Sequence, residues 1–255
     1  MPANSASTKP APKSAKKAPT VAGRRGRPPK VPIVARTAPG RPAGQDQNVR
    51  GRILDAGEIE FSDRGYAGTT LREIAEHAKV TQALVLYYFE NKHGLFEEVF
   101  LRRGRKISDE RVAGFEALRN ADRPPEVAEI VQAFLGPTLA LRTTRGGRAF
   151  IRLQARLHTE PPEISYRLRN EAYDSSTRAF VDVLCAALPH LPRADIYWRV
   201  TLIVGAYMYA FSDTHRLDEL AKGICNPSDA GEVMRQITAF VVGGLAAPGI
   251  HAVAR

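Results

Sequence analysis

Two threonines, Thr70 and Thr81, each stand just ahead of a short stretch with helical periodicity, and a cluster of hydrogen-bonding side chains, Tyr87, Tyr88 and Lys92, follows within a few residues. A helix start carries partial positive charge and unpaired N–H groups, so a threonine there can hold a phosphate with its hydroxyl and the neighbouring backbone donors. The two tyrosines and the lysine could hold phosphates from the other side of a groove. For an arbitrary pair of helices the plainer outcome is commoner, with the threonines as caps and the tyrosines as core. Thr70 with Glu73 has the spacing of a capping box, in which each residue bonds the other's backbone N–H.

Other chemistries find no residues. No nucleophile stands with a base, no glycine-rich loop could cradle a phosphate, and no paired carboxylates suggest acid–base work, so no enzyme is expected. Cys185 and Cys225 lack the CxxC spacing, and His158, His190 and His215 are isolated, so neither a metal nor a cofactor is assigned.

The elements that must position Thr70 to Lys92 follow from periodicity. Arg50 to Arg64 reads as a first helix bearing Ile53, Leu54, Ala56, Gly57 and Phe61, with Gly65 placed to end it in the left-handed conformation. A second helix carries Leu71, Ile74, Ala75 and Ala78 on one face. A tight turn at Lys79 to Thr81 leads into a third, from Gln82 to about Phe89, and a fourth begins near Lys92 and could run through Phe115. A short helix, a three-residue turn and a second short helix form a unit that can place one helix end in a major groove.

These residues also resemble a known family. The run Gly65-Tyr66-Ala67-Gly68-Thr69-Thr70-Leu71-Arg72-Glu73-Ile74-Ala75-Glu76-His77-Ala78-Lys79-Val80-Thr81-Gln82-Ala83-Leu84-Val85-Leu86-Tyr87-Tyr88-Phe89-Glu90-Asn91-Lys92-His93-Gly94-Leu95-Phe96 is similar to the signature of the TetR family of bacterial transcription regulators. The resemblance implies that Thr70, Thr81, Tyr88 and Lys92 contact phosphates, with Tyr87 beside them and Arg72 on the same surface. It also implies that Gln82 and Ala83 face base edges, where Gln can pair with adenine and Ala can meet a thymine methyl. Three residues depart from the pattern: Lys79 stands where glycine is usual, Leu86 where a tyrosine is common, and Glu60 interrupts the apolar face of the first helix.

The net charge of +10 is concentrated in the first 49 residues, where ten Lys and Arg face one acid, Asp46. This Ala/Pro/Lys-rich tail, residues 1–49, has no apolar periodicity and is expected to be disordered. Within it Arg25-Gly26-Arg27-Pro28 has the core of an AT-hook, which lays arginines in a narrow minor groove; such short matches also arise in solubility tails. Between Arg50 and Phe100 six basic residues face nine acids, so local placement, the basic run after Leu101 or the tail must supply attraction to DNA.

Beyond Pro125 the chain reads as helices near 126–143, 147–159, 163–188, 194–213 and 228–246, with a break at Gly146-Gly147 and a kink or split at Gly136-Pro137. The expected fold is therefore all-α, with a three-helix, helix-turn-helix DNA-binding domain at 50–96. A long helix joins it to an all-helical ligand-binding and dimerisation domain at 97–248, and 249–255 form a flexible end.

By resemblance the last two long helices pair with those of a second copy as a four-helix bundle. Val200, Ile203, Val204, Tyr207 and Phe211 share one face of the first, and Val233, Ile237, Phe240, Val241 and Leu245 one face of the second; intramolecular core fits the same pattern. A pocket for a small-molecule effector is expected among Phe134, Phe150, Leu153, Tyr166, Tyr173, Trp198 and Met208, and its few acids favour an apolar or anionic ligand. The segment from Leu188 to Pro192, with Trp198-Arg199, resembles the TetR branch that governs fatty-acid degradation. A homodimeric, cytoplasmic repressor of double-stranded DNA without membrane segments is the expectation, and a sequence-tolerant architectural DNA binder driven by the basic tail is the alternative.

Overall fold

A computed structural model describes residues 43–212 and 215–250, and every regular element among them is helical. The chain runs α1 (Ala43–Gly68), α2 (Leu71–Ala78), α3 (Gln82–Phe89), α4 (Lys92–Arg119), α5 (Val127–Ala140), a 3-10 turn (Leu141–Thr143), α6 (Arg145–Leu157), α7 (Pro162–Ala187), α8 (Arg193–Phe211), α9 (Arg216–Ala221) and α10 (Ala230–Ala246). Arg25, Gly26 and Arg27 lie outside the described residues. Helix α1 starts at Ala43, well before the expected Arg50.

Gly65 interrupts α1 with φ 73° and ψ 178°. The positive φ agrees with the expectation, but the extended ψ places it in a region essentially restricted to glycine and not in a left-handed cap. The break frees the N–H of Tyr66, which donates to the Glu160 carboxylate at 3.0 Å, and the buried Thr69 hydroxyl closes it from the other side onto the Gly65 carbonyl at 2.8 Å.

Two apolar cores form. The first joins Ile53, Phe61, Ile74, Val85, Phe96 and Phe100 of α1 to α4 with Phe150, Leu153 and Leu157 of α6 and Leu168 of α7. It does not stop at residue 96: the small N-terminal helices are too few to bury their own apolar faces and borrow α6 and α7 to do so. The second core unites the end of α4 with α5, α7, α8 and α10 around Phe115, Phe134, Phe180 and Phe211. Where α4 crosses α7, Gly104 permits the approach, since a Cβ there would lie 2.9 Å from that of Ala172.

Expectations for the second half need three corrections. The pair Gly146-Gly147 does not break the chain but forms the first turn of α6, behind the Thr144 cap, whose side chain accepts from the Gly147 N–H at 3.0 Å. Of the kink or split expected at Gly136-Pro137, the split is absent, for α5 continues to Ala140. The short helix α9 has no counterpart in the sequence reading, because six residues are under two turns and carry no legible period.

Glu58, one of the nine acids between Arg50 and Phe100, is buried and accepts from Arg102 at 3.1 Å and from Arg103 at 2.9 Å, binding α1 to α4. Glu60 likewise has a partner: its carboxylate meets the His77 ring at 2.9 Å, so the apparent flaw in the apolar face is the tie between α1 and α2.

Candidate nucleic-acid interface and effector cavity

Helices α2 and α3 follow their caps as the sequence suggests. Thr70 and Glu73 form the full capping box, and the Thr70 hydroxyl also donates to Glu73 at 2.8 Å, holding the carboxyl below its ordinary range. Thr81 caps α3 by accepting from the Leu84 N–H at 3.3 Å. The turn between them needs a left-handed residue, and Lys79 supplies it at φ 55° and ψ 49°, which explains why the family pattern has glycine there. Replacing Lys79 by glycine removes the steric penalty but adds unfolded-state freedom, for a net gain of about 0.5–1 kcal/mol. The expected rise in melting temperature is about 1–4 °C, readable by calorimetry.

Helix α3 is anchored by Val85 and Phe89, both buried, which turns Thr81, Gln82, Ala83, Leu86 and Tyr87 outward. Tyr87 is 57% exposed. Tyr88 is half-buried, its ring 5.3 Å from that of Tyr87 and 6.2 Å from that of Phe89, so it serves packing as well as surface. Arg72 is exposed on α2 and engages Glu76 at 2.9 Å. Lys92, at the start of α4, lies over the Tyr66 ring at 4.5 Å and donates to the Ala67 carbonyl at 3.4 Å; burial lowers its pKa. Just beyond, Gly94 is held by the Asn91 cap and could not be larger, since a Cβ would sit 2.6 Å from the Phe89 carbonyl oxygen.

A cavity of about 390 Å³ lies among α4 to α8. Of the residues expected to line a pocket, Phe134, Tyr166, Tyr173 and Met208 do so. Phe150 and Leu153 do not: they are committed to the first core, Phe150 with its ring 5.5 Å from that of Phe100. Trp198 does not either, for its side of α8 faces outward and leaves it 64% exposed. The sequence reading missed Arg111, Gln154 and Tyr207. Arg111 interrupts an apolar stripe of α4, four residues after Ile107 and four before Phe115, and a charge in such a stripe is the signal that could have found it.

Arg111 is only 1% exposed. Its Nε donates to the Phe134 carbonyl at 2.7 Å, and Nη2 to Thr138 at 3.1 Å and the Tyr207 hydroxyl at 3.4 Å. The guanidinium lies 3.8 Å from the Phe134 ring centre. The Tyr173 hydroxyl and both polar atoms of Gln154 are buried without a hydrogen-bond partner. Burial raises the Tyr173 pKa far above the ordinary range, so the phenol stays protonated. At the outer side Arg169 stands over Tyr166 and 3.4 Å from His158, whose pKa is lowered by burial and by that arginine.

The helical faces assigned to a dimer turn out to be internal. Val200, Ile203, Tyr207 and Phe211 of α8 and Ile237, Val241 and Leu245 of α10 fill the second core of their own chain. The reason is that both helices are apolar on two sides, and periodicity alone cannot say which side faces inward. Phe240 alone of the assigned α10 residues is strongly exposed, at 70%, and shares the outer surface with Leu202 and Tyr209 of α8. Gly205, Gly243 and Gly244 border open space.

Comparison with known proteins agrees with this architecture. Residues 53–99 match the family described as bacterial regulatory proteins, tetR family, and residues 132–244 match the tetracyclin repressor-like C-terminal domain, together more than half of the chain. The probable HTH-type transcriptional regulator YttP of Bacillus subtilis is 36% identical over 20% of this chain and 25% of its own length. The HTH-type transcriptional repressor KstR2 of Mycobacterium tuberculosis is 24% identical over 82% of this chain and 99% of its own. The chain thus spans about a quarter of the first of these relatives and nearly all of the second. Among solved structures, a TetR-like transcriptional regulator from Rhodococcus sp. RHA1 shares the fold with a TM-score of 0.57, at 18% identity over 82% of this chain and 100% of that one. With a matching helix-turn-helix, a matching C-terminal domain and a shared all-helical fold, the chain belongs to the TetR family of bacterial regulators.

Proposed function

We propose that this protein is a cytoplasmic, homodimeric repressor that reads double-stranded DNA with α3 and leaves it when a small apolar or anionic effector occupies the cavity. The observation that carries the reading is the division of α3: Val85 and Phe89 lock it to the core while Gln82, Ala83 and Tyr87 are presented to solvent beside two capped helix starts. That is the geometry of a helix whose N-terminal side chains reach base edges while caps and tyrosines hold the backbone. The relatives include a protein named as a transcriptional repressor, which supports the same direction of control.

Two-fold DNA sites call for two-fold proteins, and the outer surface of α8 and α10 supports a dimer. Leu202, Tyr209 and Phe240 are exposed there, and the neighbouring glycines let a second pair of helices approach closely. Leu202→Glu with Phe240→Glu is expected to yield a folded monomer at micromolar concentration, seen as a halved mass in light scattering; an unchanged mass would move the interface elsewhere.

Anisotropy titrations on the DNA upstream of the protein's own gene and on scrambled DNA, at one salt concentration, test the DNA reading. Roughly thousandfold preference for one site or more is expected of a specific regulator. Equal affinity for all DNA would instead favour a sequence-tolerant binder driven by the basic residues of 1–49.

A further inference from the structure

We propose that the cavity among α4 to α8 binds an organic monocarboxylate, with its charged end on Arg111, Tyr173 and Gln154 and its apolar body against Phe100, Phe134 and Met208. A guanidinium is not neutralised by its surroundings, and a buried one is normally paired with a carboxylate because desolvation is so costly. Arg111 has no ion pair among the described residues, and its bonds to Phe134, Thr138 and Tyr207 are all to neutral oxygens. They use Nε and Nη2, leaving the Nη1 N–H groups over.

Two further donors converge on the same space. The Tyr173 hydroxyl and the Gln154 amide line the cavity, are buried, and bond to nothing in the protein. Buried polar groups are almost always satisfied, so two orphans and an uncompensated cation in one cavity describe a site waiting for an acceptor that carries negative charge. The cavity's one acid, Asp174, is already engaged by Arg178 at 2.8 Å.

The rest of the lining selects among anions. Phe100, Phe134, Leu157, Val204 and Met208 would be left against water by a bare inorganic ion, whereas a ring or alkyl body covers them. A single deep guanidinium matches a single negative charge better than a phosphate dianion. A neutral ligand would leave Arg111 uncompensated, and a cation would be repelled by it.

The test is calorimetric and thermal-shift titration of the full chain with 4-phenylbutanoate, its amide and the matching amine, and with straight-chain acids from hexanoate to tetradecanoate. Acids are expected to bind and to raise the melting temperature, with the amide and amine weaker by roughly tenfold or more. Arg111→Met should abolish the preference for acids. Should that variant fail to fold, Tyr173→Phe with Gln154→Leu decides, because it removes two orphaned groups and keeps the arginine. It should weaken acid binding about tenfold or more without lowering the unliganded melting temperature.

Amide or amine binding as tight as the acid, no binding by any of the acids at millimolar concentration, or acid binding indifferent to these substitutions would each overturn the proposal. The inference rests on the repressor reading only for its consequence at DNA. Acid binding that leaves DNA affinity unchanged would refute the effector role and keep the carboxylate site; release of DNA by the amide alone would do the reverse.

Discussion

Alanine at both Gln82 and Tyr87 is expected to lower affinity for the preferred DNA site by about 100-fold or more, leaving it close to the affinity for unrelated DNA. A bidentate side chain on a base contributes about 1–3 kcal/mol of discrimination, and a hydrogen bond to a charged phosphate about 1.5–3 kcal/mol. Both side chains are exposed in the free protein, so the melting temperature should barely move, since surface substitutions stay within about 0.5 kcal/mol. The measurement is anisotropy at fixed salt beside a thermal melt. Tyr88→Ala would be a poorer probe, because that half-buried ring packs against Phe89 and its loss mixes stability with contact. Undiminished specific affinity in the double variant would remove α3 as the reading helix.

Gly147→Ala is expected to destabilise the protein by about 3 kcal/mol, the upper end for a forced overpacking. Helix propensity alone points the other way, since alanine within a helix gains about 1 kcal/mol over glycine. Contact decides the sign: a Cβ on Gly147 would lie 2.0 Å from the Leu141 carbonyl oxygen and 2.8 Å from the Thr144 hydroxyl, and the backbone oxygen cannot swing aside. The melting temperature should fall by about 6–12 °C. Gly51→Ala is the control. Its Cβ meets nothing within 4 Å, so propensity acts alone and a gain of about 0.5–1 kcal/mol is expected. Equal responses at the two sites would mean that α6 does not need its close start.

The same glycine shows what was and was not legible in the sequence. Thr70, Glu73 and Thr81 were readable because caps are decided within three or four residues, whereas Gly65 was readable as a positive-φ position but not as the extended break it forms. Gly147 was misread as a break because its reason is a carbonyl in the preceding turn, and Gly146 because a side chain there would meet Glu58, far away in sequence, at 2.8 Å. Glu60 looked like a flaw for the same cause, its partner His77 lying on α2, and Glu58 drew no comment because its arginines lie on α4. On α8 the period was right and the side was wrong. Tyr207 belongs to the interior and Trp198 to the outside, a choice that rests on which neighbouring helices arrive. The cavity was half legible: its aromatic residues follow from composition, but Arg111 and Gln154 acquire meaning only when their missing partners are seen.

Helix α6 touches both the cavity and the end of α1. Gln154 and Leu157 form part of the cavity wall, while Arg152 meets the Asp63 carboxylate at 3.0 Å and Arg156 the Asp63 carbonyl at 3.0 Å. A ligand in that cavity and the helix-turn-helix would therefore act on the same four turns of backbone, with no loop between them to absorb a displacement. Linkage then sets a symmetrical rule: by whatever factor an effector weakens the grip on DNA, DNA weakens the grip on the effector. A cell that multiplies its binding sites would thereby also blunt its own detector.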